Sequence, residues 1–89
     1  MALLIVSFNI KNSEKDHSEL LSRIEKYSNI QLSESSYVII TDKTPKIVCE
    51  DLIKFLEKND NLYVITLKRP YEAYGSKLAI DWLNKSLTY

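Results

Sequence analysis

The chain has 89 residues, of which 45% are hydrophobic and 27% are charged, and its 12 basic side chains balance 12 acidic ones. This length allows one domain with one compact core, and the apolar content excludes a disordered chain. Zero net charge excludes a general attraction to nucleic-acid backbones or anionic membranes, so any nucleic-acid contact has to be local.

The cysteine and histidine content limits the chemistry further. A single cysteine, Cys49, cannot form a disulfide within the chain or a cysteine zinc site, which fits a reducing compartment. His17 is the only histidine, so a zinc or histidine-based catalytic site has little support. The apolar run at residues 2–6 is too short to span a membrane and lacks the basic flank of a signal peptide. We therefore expect one cytoplasmic domain over residues 1–89, with no membrane partner.

The first predicted element is a strand at residues 2–9, because ALLIVSFN is a nearly continuous apolar run, typical of a strand in the middle of a sheet. A helix follows, with an N-cap acceptor at Asp16 and Glu19 three residues later. Ser28 and Asn29 are expected to end this helix. Its apolar side chains recur at helical spacing and are Leu20, Leu21, Ile24 and Tyr27.

The middle of the chain predicts two unequal strands and a second helix. Residues 31–34 are short and polar, which favours an edge strand, whereas residues 37–41 (YVIIT) are β-branched and apolar, which favours an interior strand. The second helix is predicted to begin at Thr44, because its hydroxyl can cap the helix and Pro45 is tolerated at the first helical position. Its apolar stripe consists of Val48, Leu52, Phe55 and Leu56.

The last third of the chain predicts a turn, a strand and a helix. Residues 58–61 (KNDN) favour a left-handed helix end and a turn, and residues 62–67 (LYVITL) favour a fourth strand that Pro70 ends. The last helix is predicted to begin after Ser76 as its cap. The side chains expected on its buried side are Leu78, Ala79, Trp82 and Leu83.

These elements predict an α+β fold of the ferredoxin-like kind, βαββαβ with an added C-terminal helix. The two most apolar strands, the first and the third, suit the interior of a four-stranded antiparallel sheet of order 4-1-3-2. Two helices can cover one face of this sheet through right-handed crossovers. The other face then needs cover from the Trp82 helix or from a second copy of the chain, and we favour a homodimer.

Three short segments carry a family resemblance. Residues 4–10 (LIVSFNI) end in an aromatic, polar and apolar triplet, residues 32–37 (LSESSY) stand at a strand turn, and residues 71–84 (YEAYGSKLAIDWLN) join an aromatic-rich link to a helix. In these segments the chain resembles the small CRISPR-associated Cas-Two-like proteins, their virulence-associated protein D relatives and, above all, the short SinR family. The corresponding family motifs are Tyr-Asp-Leu or Tyr-Asp-Ile, then Leu-Glu-Ser-Thr-Trp, and finally Asp-Trp-Leu.

The resemblance implies a homodimer in which the ends of the two first strands face each other and, in catalytic members, place an Asp for a divalent metal. This chain has Asn9 at that position. Because a neutral amide supplies no charge and magnesium prefers carboxylate and water oxygens, the substitution argues against an enzyme. Ser7, two residues earlier on the same strand face, can bond a phosphate or water, or can satisfy polar groups at the strand end.

A second candidate site follows the fourth strand. Lys68 and Arg69 lie close in sequence to Tyr71 and Tyr74, a combination that can hold a single nucleic-acid strand by charge and stacking. The same aromatic rings can instead fix the last helix to the sheet or line a dimer interface.

The sequence therefore predicts a non-catalytic or weakly catalytic Cas-Two/SinR-like homodimeric binding protein that acts on a protein or nucleic-acid partner, with an origin in a phage or mobile element. We expect no catalytic residue, no metal site and no cofactor. The candidate binding residues are Ser7, Asn9, Lys68, Arg69, Tyr71 and Tyr74.

Two alternatives stay open at this point. One is a divalent-metal-dependent nuclease with a degenerate site, in which Asp42 or Glu34 replaces the missing Asp and magnesium is the cofactor. The other is a small-molecule sensor, since ferredoxin-like dimers can bind ligands between their sheets.

Overall fold

The computed structural model describes residues 2–11, 18–70 and 72–86. In these ranges the chain forms an α+β fold with a four-stranded antiparallel sheet and three α-helices. None of these helices is long and apolar enough to cross a bilayer. The elements in chain order are β1 (Ala2–Asn9), α1 (Ser18–Glu25), β2 (Ser28–Ser33), β3 (Ser36–Thr41), α2 (Pro45–Leu52) with a 3-10 turn at Ile53–Phe55, β4 (Asn61–Leu67) and α3 (Lys77–Ser86).

The sheet has the order β2-β3-β1-β4, which is 4-1-3-2 when it is counted from the other edge. All three strand pairs are antiparallel, and Ile5 of β1 lies opposite Val38 of β3 and Ile65 of β4. The interior position expected for the two most apolar strands is confirmed. A strand that is paired on both edges and covered on both faces is shielded from water on all sides. An uninterrupted apolar run therefore stabilises the folded state most at this position.

The main core lies between the first face of the sheet and helices α1 and α2. Alternate residues of a strand point to opposite faces, so this face takes the even-numbered side chains of β1 and the odd-numbered side chains of β3. The Phe8 and Tyr37 rings stack here with their centroids 6.5 Å apart. The fully buried side chains of this core are Leu4, Val6, Ile39, Leu20, Ile24, Val48 and Leu52.

The second face of the sheet has a smaller core, which α3 covers. Leu83 of α3 packs against Leu3 and Val38, and Trp82 lies half-buried beside them. Since α3 contacts β2, at one edge of the sheet, the cover does not extend evenly to the opposite edge. Part of the second face of β4 therefore remains exposed.

The helix starts expected at two positions are confirmed. The Thr44 Oγ1 atom accepts a hydrogen bond from the Ile47 backbone N–H at 3.3 Å, and Pro45 is the first residue of α2. The Ser76 Oγ atom accepts from the Ala79 backbone N–H at 3.4 Å, one residue before α3 begins. Both bonds satisfy an N–H group that has no partner within the helix.

The first helix is confirmed as far as it is described. It spans Ser18–Glu25 and buries Leu20 and Ile24, while Tyr27 follows its end and still packs against the core. The cap expected at Asp16, and also His17, lie outside the described residues.

Three details differ from the sequence-based expectation. β2 begins at Ser28 rather than at residue 31, because Asn29 and Ile30 pair with β3 directly after the helix. The turn at residues 58–61 has no residue with positive φ, since α2 ends in a 3-10 turn instead. Leu78 was expected to be buried and is 74% exposed, because α3 turns Ala79 and Leu83 toward the sheet.

Candidate functional site

The end of β1 places two of the predicted site residues on one face of the sheet. Ser7 is half-buried and lies between Ser36 of β3 and Tyr63 of β4, and Asn9 is exposed and lies opposite Asn61. Ser7, Asn9 and Leu3 are alternate residues of β1, and Leu3 packs on the second face, so the Ser7 and Asn9 side chains lie on the second face too. The expected proximity of Ser7 and Asn9 is therefore present within one chain.

Asn9 lines a shallow hollow that also contains a carboxylate. The hollow has a volume of ≈ 390 Å³, and Glu34 and Ser35 of the β2–β3 turn form its other side, with Phe8 and Ile10. The turn is held in place because the Phe8 backbone N–H donates to the Ser35 carbonyl at 3.0 Å. An amide and one carboxylate thus face the same space, a weak donor set for a hard cation, which prefers several carboxylate and water oxygens.

Asp42, the other acid considered for a metal site, lies at the opposite end of the sheet. It follows Thr41, which pairs with Ala2 at the start of β1. The seven steps from Ala2 to Asn9 span roughly 23 Å of strand. Asp42 therefore cannot contribute to a site at Asn9 of the same chain. Within the described ranges, the structure has no group of three or more His, Cys, Asp or Glu side chains arranged to hold a metal ion.

The second set of predicted site residues is far from the first. Lys68 and Arg69 are exposed and follow Leu67, which pairs with Leu3, whereas Asn9 pairs with Asn61 at the other end of β4. The six steps from Asn61 to Leu67 span roughly 20 Å of strand. Tyr71 lies outside the described residues, and Tyr74 is fully exposed. Within one chain, Ser7 and Asn9 therefore lie toward one end of β4, and Lys68 and Arg69 follow its other end.

Tyr74 lines a groove between α3 and the second face of the sheet. The groove has a volume of ≈ 440 Å³ and its walls are mainly apolar. Among the described residues of its lining, Glu72 alone carries a charge. The larger apolar side chains in its lining are Ile5, Leu32, Val38, Leu67, Tyr74, Ile80 and Leu83.

An exposed apolar surface lies on the same face of β4. Tyr63 and Ile65 are each 56% exposed. They alternate along β4 with Leu67, which packs into the second core, so all three side chains lie on the second face. Across the strand pair, Tyr63 lies opposite Ser7 and Ile65 lies opposite Ile5. We call Tyr63 and Ile65 the β4 patch. Sequence reasoning identified the strand but not this patch, because the patch exists only where α3 leaves the sheet uncovered.

Helices α1 and α2 are joined by an ion pair that sequence reasoning also missed. Arg23 Nε and Nη2 donate to the two carboxylate oxygens of Asp51 at 2.8 and 3.1 Å. Tyr27 Oη donates to Asp51 at 3.4 Å, and Lys54 Nζ lies 3.8 Å from the same carboxylate. The hydrogen bonds from Arg23 are the main reason that the pKa of Asp51 lies below its ordinary value.

The surroundings of this ion pair favour a structural role. The ammonium group of Lys43 lies 5.5 Å from the centre of the Tyr27 ring, within the range of a cation–π contact. The guanidinium and the carboxylate bind each other at two points, so each has a strong partner within the cluster. This cluster therefore connects the two helices of the main core and is not a candidate binding site.

No protein-family model, curated protein or solved structure matches this chain.

Proposed function

We propose that this protein is a non-catalytic homodimeric binding protein with a ferredoxin-like fold, of the Cas-Two/SinR-like kind, and that it binds a partner protein on the second face of its sheet. The observation that carries this proposal is the β4 patch, Tyr63 and Ile65, each 56% exposed beside the apolar groove under α3. Exposed apolar surface next to a groove is typical of interaction sites.

The energetics of the patch support binding rather than folding as its role. Full burial of a large apolar side chain contributes about 1.5 to 3 kcal/mol, so each half-exposed residue can still contribute about 1 kcal/mol on association. Two such residues are too few for a stable complex on their own. The groove side chains Leu32 and Tyr74, which are also exposed, extend the apolar surface on the same face.

Charge supports a protein partner over a nucleic acid. The chain has no net charge, and Lys68 and Arg69 are two cations at one end of β4. Nucleic-acid binding depends on several phosphate contacts and weakens steeply with salt. A complex that persists at 0.5 M salt is expected for an apolar interface, whereas loss of binding between 0.05 and 0.2 M salt would favour a nucleic-acid partner.

A quantitative comparison of captured proteins tests the proposed surface. The tagged wild-type chain and the Ile65→Lys variant are used as baits in the source-cell lysate, with Leu78→Lys as the matched control because Leu78 is 74% exposed on α3. We expect one partner that both wild type and Leu78→Lys capture and that Ile65→Lys loses. Equal capture by all three baits would contradict the proposed surface.

The nuclease alternative is favoured by one observation, the shared hollow of Asn9 and Glu34. It predicts magnesium-dependent cleavage of nucleic acid that falls at least tenfold in Asn9→Ala and in Glu34→Gln. The same loss should be absent in Glu50→Gln, an exposed carboxylate on α2. Cleavage with this pattern would contradict the non-catalytic proposal.

The sensor alternative is favoured by the groove, whose ≈ 440 Å³ lie within the usual size range of ligand pockets. A ligand that binds only the folded form raises the melting temperature. The alternative predicts such a rise with a nucleotide or an amino acid and its loss in Ala79→Phe, which fills the groove from α3. The absence of any shift would count against a sensor.

A further inference from the structure

The two edges of the sheet differ in the regularity of their strand pairing. On the β2 edge the register shifts between Gln31 and Ser33. Helices contact both edge strands, α1 and α3 on β2 and α2 on β4. β4, Asn61–Leu67, is seven residues long and pairs with β1 in continuous register. Neither edge strand contains a charged residue or a proline. Natural sheets commonly blunt an edge with a bulge, and β4 has no register shift against β1, so its regular backbone suits pairing with another chain.

The hydrogen-bonding pattern identifies which groups face the open edge. The Phe8 backbone N–H donates to Ser35 across the β1–β3 pair, so the even residues of β1 bond toward β3 and the odd residues toward β4. The odd residues of β4 therefore bond back to β1. The N–H and C=O groups of Leu62, Val64 and Thr66 point to the open edge, and no backbone bond outside the sheet reaches them from the described residues.

We propose that β4 pairs in antiparallel orientation with β4 of a second copy of the chain, in a register centred on Val64. This inference rests on the proposed homodimer and specifies its geometry. Val64 then lies opposite Val64 of the second copy, and Leu62 lies opposite Thr66 of the second copy. Leu62 and Thr66 lie symmetrically about Val64, so the outward N–H and C=O groups of all three residues gain a partner in the second copy. The two four-stranded sheets then form one sheet of eight strands.

Charge complementarity selects this occupant and this register. Asp60 precedes β4 and Lys68 follows it, four residues on either side of Val64. The Asp60 carboxylate accepts hydrogen bonds from the backbone N–H groups of Lys11 and Glu57 at 3.0 and 2.8 Å, which hold this charge at the start of β4. Pairing centred on Val64 places each Asp60 beside Lys68 of the other copy, which gives two opposite-charge pairs per dimer. A shift of the centre to Tyr63 places Lys68 opposite Lys58 instead. A shift to Ile65 places Lys68 opposite Leu62 and Asp60 opposite Pro70, so neither faces an opposite charge of the second copy.

The same register extends the binding surface. Tyr63 lies opposite Ile65 of the second copy, so the two β4 patches join into one group of four apolar side chains on the second face of the combined sheet. The two β1 strands are then about 14 Å apart, with both β4 strands between them. The Asn9 ends point in opposite directions, unlike the facing ends that the family resemblance implies.

Disulfide cross-linking tests the register. In a Cys49→Ser background, the Val64→Cys variant brings two thiols to directly opposite positions, where the Cα atoms are about 5.5 Å apart. This separation lies within the range of a disulfide. We expect a disulfide-linked dimer under mild oxidation. The matched control is Thr66→Cys, whose two copies are about 13 Å apart along the strand and should not cross-link.

Light scattering separates this inference from the proposed homodimer. Thr66→Pro removes an edge N–H that bonds to no backbone group among the described residues, so the variant should keep its circular dichroism spectrum and become monomeric. Lys68→Glu should raise the dimer dissociation constant about tenfold. Lys46→Glu, an exposed control on α2, should not raise it.

Each outcome of these measurements is informative. A wild-type dimer with the Val64→Cys cross-link and a monomeric Thr66→Pro variant supports pairing through β4. A wild-type dimer that lacks the cross-link and persists in Thr66→Pro overturns the β4 pairing and leaves the proposed homodimer intact. A monomeric wild type overturns both, and the β4 edge would then be open to a strand from a different protein.

Discussion

Arg23 of α1 and Asp51 of α2 form a two-point ion pair, with nitrogen–oxygen distances of 2.8 and 3.1 Å across 28 residues of sequence. The pair closes over the outer side of the main core, where Leu20 and Ile24 of α1 meet Val48 and Leu52 of α2. It fixes the spacing of the two helices that cover the first face of the sheet, while the second face carries the proposed interaction surface.

Acid should weaken the fold through Asp51. Its folded-state pKa lies below the ordinary value of about 3.9 because it accepts hydrogen bonds from Arg23. The unfolded chain therefore takes up a proton first as the pH falls. The stabilisation is complete above about pH 4 and is lost as the pH falls through the folded-state pKa.

The Asp51→Asn variant tests this dependence. It should melt at a lower temperature than the wild type at pH 7 and show a smaller further decrease between pH 5 and pH 2. Glu50→Gln, an exposed neighbour on the same helix, serves as the control and should retain the wild-type pH dependence. If the melting temperatures of wild type and Asp51→Asn fall by the same amount between pH 5 and pH 2, Asp51 is not the source of the acid sensitivity.

The main core should be sensitive to loss of volume at Leu4. This side chain is fully buried at the centre of β1, so Leu4→Ala should lower the free energy of unfolding by about 2 to 5 kcal/mol. Leu78→Ala makes the same change at a position that is 74% exposed and should alter stability by less than about 0.5 kcal/mol. Urea denaturation measures both, and similar losses in the two variants would refute the described burial.

The cap of α2 should contribute measurably to stability. Thr44→Ala removes the Oγ1 acceptor of the Ile47 N–H and should cost about 1 kcal/mol in urea denaturation. Thr44→Ser keeps an oxygen at the same position and should retain most of the stability. Equal losses in the two variants would mean that the threonine methyl group, not the hydrogen bond, is responsible.

The hollow at Asn9 should gain metal binding when the charge is restored. Asn9→Asp places a second carboxylate beside Glu34, and we expect a rise in melting temperature with 10 mM magnesium that the wild type lacks. The added Glu34→Gln change should remove this rise. A magnesium-dependent rise in the melting temperature of the wild type would contradict the claim that Asn9 and Glu34 are too weak a donor set for magnesium.

Local signals explain why much of the fold was predictable from the sequence. β1 and β3 are apolar on both faces, which identifies interior strands without any knowledge of their partners. The caps at Thr44 and Ser76 depend on residues within three positions, so the helix starts follow from short sequence motifs. β2 was placed too late because Asn29 and Ile30 have no strand pattern until β3 pairs with them.

The candidate surface depends on long-range packing and was less accessible to sequence reasoning. Leu78 and Leu83 both fit a helical apolar stripe, and only the docking of α3 determines that Leu83 is buried and Leu78 is exposed. The same docking leaves Tyr63 and Ile65 uncovered. Similarly, the pairing of Arg23 with Asp51 had no sequence signal among 12 basic and 12 acidic residues.

The mass of the wild-type protein in solution tests the central proposal most directly. One chain has a mass of 10.4 kDa. Light scattering at micromolar concentration should give twice this mass, because a homodimer is the unit that we propose to bind its partner. A single-chain mass that persists as the concentration is raised would contradict the account.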